Sequence, residues 1–231
     1  MKDALELWDS FLIAFTALLP LINPLGSALI FLGLVGDASA DTFRCLARKI
    51  AINNIIFLVI IELLGSGILH FFGLSLHIVQ FSGGIVLAAI GWSTLNQKDS
   101  DPKPMVNQGD IHVSPNSSAN ALMEKAFYPF TFPITSGPGT LVVTIALATR
   151  TEGSALTVNL LRHGGLLLAI VALSVIVYIC YANAPRITRS IPPATANGII
   201  RVTSFILVCI GVQIAWKGLS AMLLTLLHPS P

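Results

Sequence analysis

Apolar runs long enough to cross a bilayer recur along this chain from end to end. A membrane-spanning helix needs about 20 predominantly apolar residues. Six stretches meet that length, at about 10–35, 50–72, 77–96, 124–149, 158–182 and 199–225. Inside hydrocarbon every backbone N–H and C=O must be paired within the spanning structure, which leaves helices and closed barrels. A barrel would show short segments of alternating hydrophobicity instead. Only 10% of the residues are charged, against about a quarter in a soluble domain. The expectation is an all-α membrane protein with six transmembrane helices.

The organisation between the spans follows from the polar residues. Asp3, Glu6 and Asp9 outnumber Lys2 ahead of the first run, and no small-residue cleavage pattern follows it. That run therefore reads as an uncleaved span rather than a signal peptide. The stretch 97–122 is rich in Pro, Asp, Asn and Ser and reads as a flexible linker. Its Asn116 matches a glycosylation acceptor, a pattern too short to weigh. The transmembrane domain is taken as 5–225, with a first repeat at about 8–96, a cytoplasmic linker at 97–122 and a second repeat at about 123–225. One side collects Arg44, Arg48, Lys49, Lys98, Lys103, Lys125, Arg186, Arg189 and Arg201. The other collects Lys2, Arg150, Arg162 and Lys217. Basic residues concentrate on the cytoplasmic side, so both termini are expected in the periplasm. A net charge of +2 gives no reason to expect a nucleic-acid partner. Cys45, Cys180 and Cys209 form no pairing framework and read as small buried hydrophobes.

Spans 1 and 4 share a pattern that helices normally avoid. PLINPLGSALIF begins at Pro20 and PITSGPGTLVVT at Pro133. Each has a glycine six residues after the first proline, Gly26 or Gly139, with a second proline, Pro24 or Pro138, between them. The offset is 113 residues; at 114, Arg48 matches Arg162; at 120, GIVLAAIG (84–91) matches SFILVCIG (204–211) in spans 3 and 6. A three-span unit used twice must enter the membrane from opposite faces. The expected fold is thus two inverted three-helix repeats with broken helices 1 and 4, an arrangement that marks secondary transporters.

The breaks read as helix restarts. Asn23 is a good N-cap and Pro24 fits the first helical position; Gly137 and Pro138 repeat the arrangement. A helix that starts near the bilayer centre presents unpaired N–H groups and the positive end of its dipole, tolerable only against protein or a wet cavity. Such an end suits a carboxylate, and carbonyls freed by proline suit an ammonium group. The expected ligand is a small zwitterion or other polar solute. The substrate-binding candidates are Asn23, Pro24, Gly26, Thr135, Ser136, Gly137, Pro138, Gly139 and Thr140. Close helix packing through the glycines is the alternative role.

Glu62 is the one acidic residue near the middle of a span. It is a candidate proton carrier or a carboxyl group hydrogen-bonded within the bundle. Asn53 and Asn54 read as helix–helix contacts, and Gln80, Ser82 and Gln213 as facing a cavity or a helix. His163 is expected near the mouth of span 5, and Lys217 at the outer interface. No serine–histidine arrangement or metal-ligand spacing points to catalysis, a metal or a cofactor, so the chain is not expected to be an enzyme.

INPLG (22–26), GGIVLAAIG (83–91), GPGT (137–140) and LVCIGVQ (207–213) occur in that order. Together they resemble the MarC family of bacterial integral membrane proteins over roughly residues 5–225. The resemblance implies six spans in a bacterial inner membrane. It implies a link to multiple antibiotic resistance and, for some relatives, transport of small neutral amino acids such as alanine and glycine. Its NP-x-G and GPG motifs fall on Asn23, Pro24, Gly26, Gly137, Pro138 and Gly139. The leading expectation is a secondary transporter or exporter of small polar solutes such as neutral amino acids, with membrane lipid as its surroundings. A passive pore and a non-transporting protein that affects antibiotic sensitivity are the alternatives.

Overall fold

The structure, a computed structural model, describes residues 2–36, 38–96, 119–149, 156–186 and 193–227. Most of the 97–122 linker, with Lys98, Lys103, His112 and Asn116, lies outside the described residues, as do Arg150 and Arg189. Helices α1 (Lys2–Ile22) and α2 (Pro24–Val35) make the first span. Helix α3 (Ala40–Phe71) starts at Ser39, whose hydroxyl accepts from the Thr42 N–H at 3.2 Å. Helix α4 (Leu76–Leu95) starts in the same way at Ser75, which accepts from Ile78 N–H at 3.3 Å. The short α5 (Ala119–Glu124) leads into an irregular segment, Ala126–Thr135, and then α6 (Pro138–Thr149), bent from that segment by 72°. Helices α7 (Leu156–Ala182) and α8 (Pro193–Leu227) complete the chain. The described residues are helical, with no strand among them. Five helices are long and apolar enough to cross a membrane, or six when the bent pair counts as one span.

The two breaks form as restarts, by different means. Helix α1 runs through Pro20 and ends at Ile22, so Pro20 does not interrupt the span. Asn23 takes the left-handed conformation, φ 45 and ψ 63, which Asn tolerates better than most residues. Its side chain accepts the Gly26 N–H at 3.2 Å, and Pro24 fills the first helical position. The approach to the second break is built from Tyr-Pro-Phe-Thr followed by Phe-Pro-Ile-Thr. Each residue before a proline is extended, Tyr128 at φ −113 and ψ 124 and Phe132 at φ −119 and ψ 126, as the proline ring demands. Each threonine hydroxyl donates to the carbonyl five residues back, Thr131 to Ala126 and Thr135 to Phe130, both at 2.7 Å. Wide turns replace the regular helix, so the first half of span 4 does not repeat the straight α1.

Helices α3 and α7 lie side by side and run antiparallel, as do α4 and α8. Asn54 of α3 meets Ser174 of α7, while Glu62 meets His163. Between α4 and α8 the contact is backbone on backbone. Gly84 lies against Gly211 and Ala215; Gly91 lies against Ser204 and Val208; Gly218 lies against His77 and Phe81. Both helices carry G-x3-A-x2-G, at Gly84, Ala88, Gly91 and at Gly211, Ala215, Gly218. These contacts map onto one another at an offset of 127 residues. They fit the alignment at 120 as well, under which Gly84–Gly211 maps onto Gly91–Ser204 and Gly91–Val208 onto Gly211–Ala88.

Burial also corrects the cysteines. Cys180 is buried, but Cys45 and Cys209 are exposed. An apolar run in a membrane chain has a lipid-facing side, so hydrophobic surroundings in sequence do not mean burial in protein. The protein core is centred on Phe31, which stacks on Tyr181 at 4.4 Å between ring centroids and meets Phe43 and Phe130 edge-on at 5.7 and 5.3 Å.

Candidate functional site: two helix breaks around one cavity

The end of α1 leaves carbonyl groups without their usual donors. Pro24 has no N–H to offer Pro20, and the Gly26 N–H goes to the Asn23 side chain rather than to Ile22. The Ser27 hydroxyl donates to the Asn23 carbonyl at 2.8 Å. The start of α6 is the opposite case. Gly137 has no side chain to cap the helix, and the Thr140 and Leu141 N–H groups turn back to its carbonyl at 3.0 and 3.3 Å. The remaining first-turn amide is that of Gly139, at the positive end of the α6 dipole. Thr140 is 1% exposed, and its hydroxyl finds no hydrogen-bond partner among the described residues.

Both breaks open onto one cavity of about 360 Å³. Leu21, Ile22, Asn23, Ser27 and Ile30 line it from the first break, and Pro133, Ile134 and Gly137 to Thr140 from the second. Helix α4 closes it with Val86, Leu87, Ala89, Ile90 and Ser93, and α8 adds Leu207. Of the candidates read from sequence, Asn23, Gly137, Pro138, Gly139 and Thr140 line the cavity; Pro24, Gly26, Thr135 and Ser136 do not. A Cβ at Gly26 would strike the Asn23 side chain, so this glycine makes room for the cap. A Cβ at Gly139 would meet Leu87 Cδ1 at 2.9 Å, and one at Gly137 the Pro133 carbonyl at 3.3 Å. Gln80, Ser82 and Gln213 are absent from the lining.

Thr135 and Ser136 instead anchor the second break from behind. The Thr135 hydroxyl is 2.9 Å from the Tyr181 hydroxyl, which also reaches Ser27 of the first break. The Ser136 hydroxyl donates to Asn54 Oδ1, and Asn54 Nδ2 donates to Ser174 at 3.0 Å. All six are buried. Sequence reasoning singled out Asn54 but missed Tyr181 and Ser174; polar groups inside an apolar run were the available signal.

Glu62 is buried, with Oε1 at 3.1 Å from His163 Nδ1 and Oε2 without a partner among the described residues. Neither residue lines the cavity. His163 lies about two turns into α7, which starts at Leu156. Its neighbour Arg162 reaches Glu6 at 3.7 Å, in a separate cleft of about 420 Å³ shared with Asp9 and Ser10. No group of His, Cys, Asp and Glu suited to a metal ion occurs among the described residues.

The fold and site define a class: a multi-pass helical membrane protein in which two interrupted helices meet at one partly open cavity. The chain belongs to the MarC family. The family profile, described as MarC family integral membrane protein, matches residues 8–223. Among curated relatives, the inner membrane protein MarC of Salmonella paratyphi A is 27% identical over 96% of this chain and 99% of its own length. The inner membrane protein MarC of Escherichia coli O1:K1 / APEC is 26% identical over 96% and 99%. A membrane protein of Pyrococcus abyssi is 26% identical over 93% and 96%. No solved structure matches the chain significantly.

Proposed function

We propose that this protein is a secondary transporter of small zwitterionic solutes, neutral amino acids foremost, in a bacterial inner membrane. The observation that carries the reading is the shared cavity: two breaks 114 residues apart in sequence, at Asn23 and Gly137, line the same space. Carbonyls at the end of α1 suit an ammonium group. The Gly139 amide and the unpartnered Thr140 hydroxyl at the start of α6 suit a carboxylate. The inverted-repeat reading is supported by the antiparallel pairing of α3 with α7 and of α4 with α8. The two halves would then rock about the cavity between them. Contacts of Lys49 with Met123 and of Arg162 with Glu6 join residues that the charge pattern puts on common sides; by that pattern both termini are periplasmic. Glu62, with His163, is the proton-coupling candidate. The relatives named inner membrane proteins support the location.

The test is counterflow of labelled amino acids in liposomes containing the purified protein. A carrier exchanges solute and saturates, whereas a passive pore does neither. Gly137→Ala and Gly139→Ala are expected to lower exchange at least tenfold relative to folded protein in the membrane. Gly33→Ala, whose Cβ would have no neighbour within 4 Å, is expected to behave as wild type. Exchange that falls only in step with expression would count against a site at the breaks.

A further inference from the structure

We infer that the cavity selects zwitterions with a branched aliphatic side chain, such as leucine or valine, over glycine and alanine. The inference rests on the transport reading above and names the substrate within it. Three observations carry it. First, Asn23, Ser27, the Gly139 amide and the Thr140 hydroxyl sit together at the two breaks. Second, apart from Ser93 of α4 the rest of the wall is apolar, with Leu21, Ile30, Val86, Leu87, Ile90 and Leu207. A ligand whose polar ends engage the breaks must place its remainder against these side chains. Third, the volume of about 360 Å³ is large for the smallest amino acids. At about 30 Å³ for each water-sized group, it holds on the order of a dozen non-hydrogen atoms, so alanine fills about half, leucine about three quarters, and phenylalanine takes all of it with no room for its rigid ring to adjust.

Leu87 sets the depth of this space. Its side chain stands over Gly139, with Cδ1 and Cδ2 at 2.9 and 3.0 Å from where a Cβ would be. Leu87 is thus the α4 residue that meets both the polar end and the aliphatic wall. Burying one methylene is worth about fourfold in affinity. The three extra carbons of leucine over alanine are therefore expected to give about 50-fold tighter competition.

The experiment is counterflow of labelled leucine in liposomes containing the full chain, competed by unlabelled glycine, alanine, valine, leucine, phenylalanine and lysine. Leucine and valine are expected to compete best and lysine not at all. Leu87→Ala is expected to raise the competition of phenylalanine relative to leucine about tenfold. Leu87→Phe is expected to weaken leucine while sparing alanine. These are ratios between solutes on one preparation, so a lower yield of folded variant does not move them. Glycine or alanine competing as well as leucine would overturn the inference and leave the transport reading standing. An unchanged order of solutes in both Leu87 variants would overturn it too. Absence of exchange for every amino acid would overturn the transport reading and the inference with it.

Discussion

Gly26 is expected to tolerate a methyl group only when Asn23 has lost its side chain. The three atoms nearest to a Cβ at Gly26 all belong to Asn23: Nδ2, then Cγ at 2.8 Å and Oδ1 at 2.9 Å. Alanine at this position must expel the carboxamide that caps α2 through the Gly26 N–H. The lost cap costs about 1 kcal/mol, and an expelled amide without a partner costs roughly 1–3 kcal/mol more. Against this, alanine inside a helix gains about 0.8–1.0 kcal/mol over glycine. The net for Gly26→Ala is a destabilisation of about 1–3 kcal/mol. Asn23→Gly keeps the left-handed backbone, φ 45, at a cost of only a few tenths of a kcal/mol for the cap. In that background nothing obstructs the methyl group, and Gly26→Ala should stabilise by about 0.5 kcal/mol. The predicted result is a change of sign and a coupling of about 1.5–3.5 kcal/mol. SDS titration of the four purified proteins in detergent measures it through the midpoint of unfolding. Equal costs in both backgrounds would refute the reasoning and return Gly26 to a role in ligand approach.

Gly84→Ala and Gly211→Ala push α4 and α8 apart, since the added atoms meet backbone, Gly211 O at 2.6 Å and Ala88 Cα at 2.8 Å. Each is expected to cost about 1–3 kcal/mol in the same titration, while Gly67→Ala, with no neighbour within 4 Å, stays within about 0.5 kcal/mol. Asn54→Leu breaks the bonds to Ser136 and Ser174. At about 0.6 kcal/mol for an average interhelical hydrogen bond and up to about 1.7, a loss of roughly 1–3 kcal/mol is expected, and a double-mutant cycle with Ser174→Ala should show non-additivity. Glu62→Gln is expected to abolish accumulation driven by a pH gradient while leaving counterflow intact. His163→Ala should share that phenotype, because the imidazole is the partner of Glu62 Oε1; accumulation unchanged in both would assign the pair to packing.

The spans and the two restarts at Asn23 and Gly137 were legible because they rest on local rules. Hydrocarbon demands paired backbone, asparagine caps helices, and proline fits a first turn. The partners of Glu62 and Asn54 were not legible. His163 is 101 residues from Glu62, and Ser174 is 120 from Asn54, so only the packing of α3 on α7 brings them together.

The difference between the two breaks was the least legible feature, because a repeat invites identical roles for matched positions. A ligand lying between two halves related by a pseudo-two-fold axis meets identical half-sites only if its own ends are alike. A zwitterion has unlike ends. Two copies of one half-site would offer carbonyls to both or amides to both, and one end would always be left unpaired. The breaks have to diverge for such a ligand to be held. Asn23 satisfies the amide of its own restart and leaves carbonyls at the end of α1. Gly137 has no side chain with which to do the same, and the Gly139 amide stays beside the unpartnered Thr140 hydroxyl. On this argument Asn23 opposite Gly137 is the substitution that turns a symmetric pair of broken helices into a site with a cationic and an anionic pole. Gly137→Asn is then expected to cap α6 and stabilise the fold while abolishing exchange, a pairing of effects that helix packing alone would not produce. The SDS titration and the counterflow assay, run on the same preparation, separate the two.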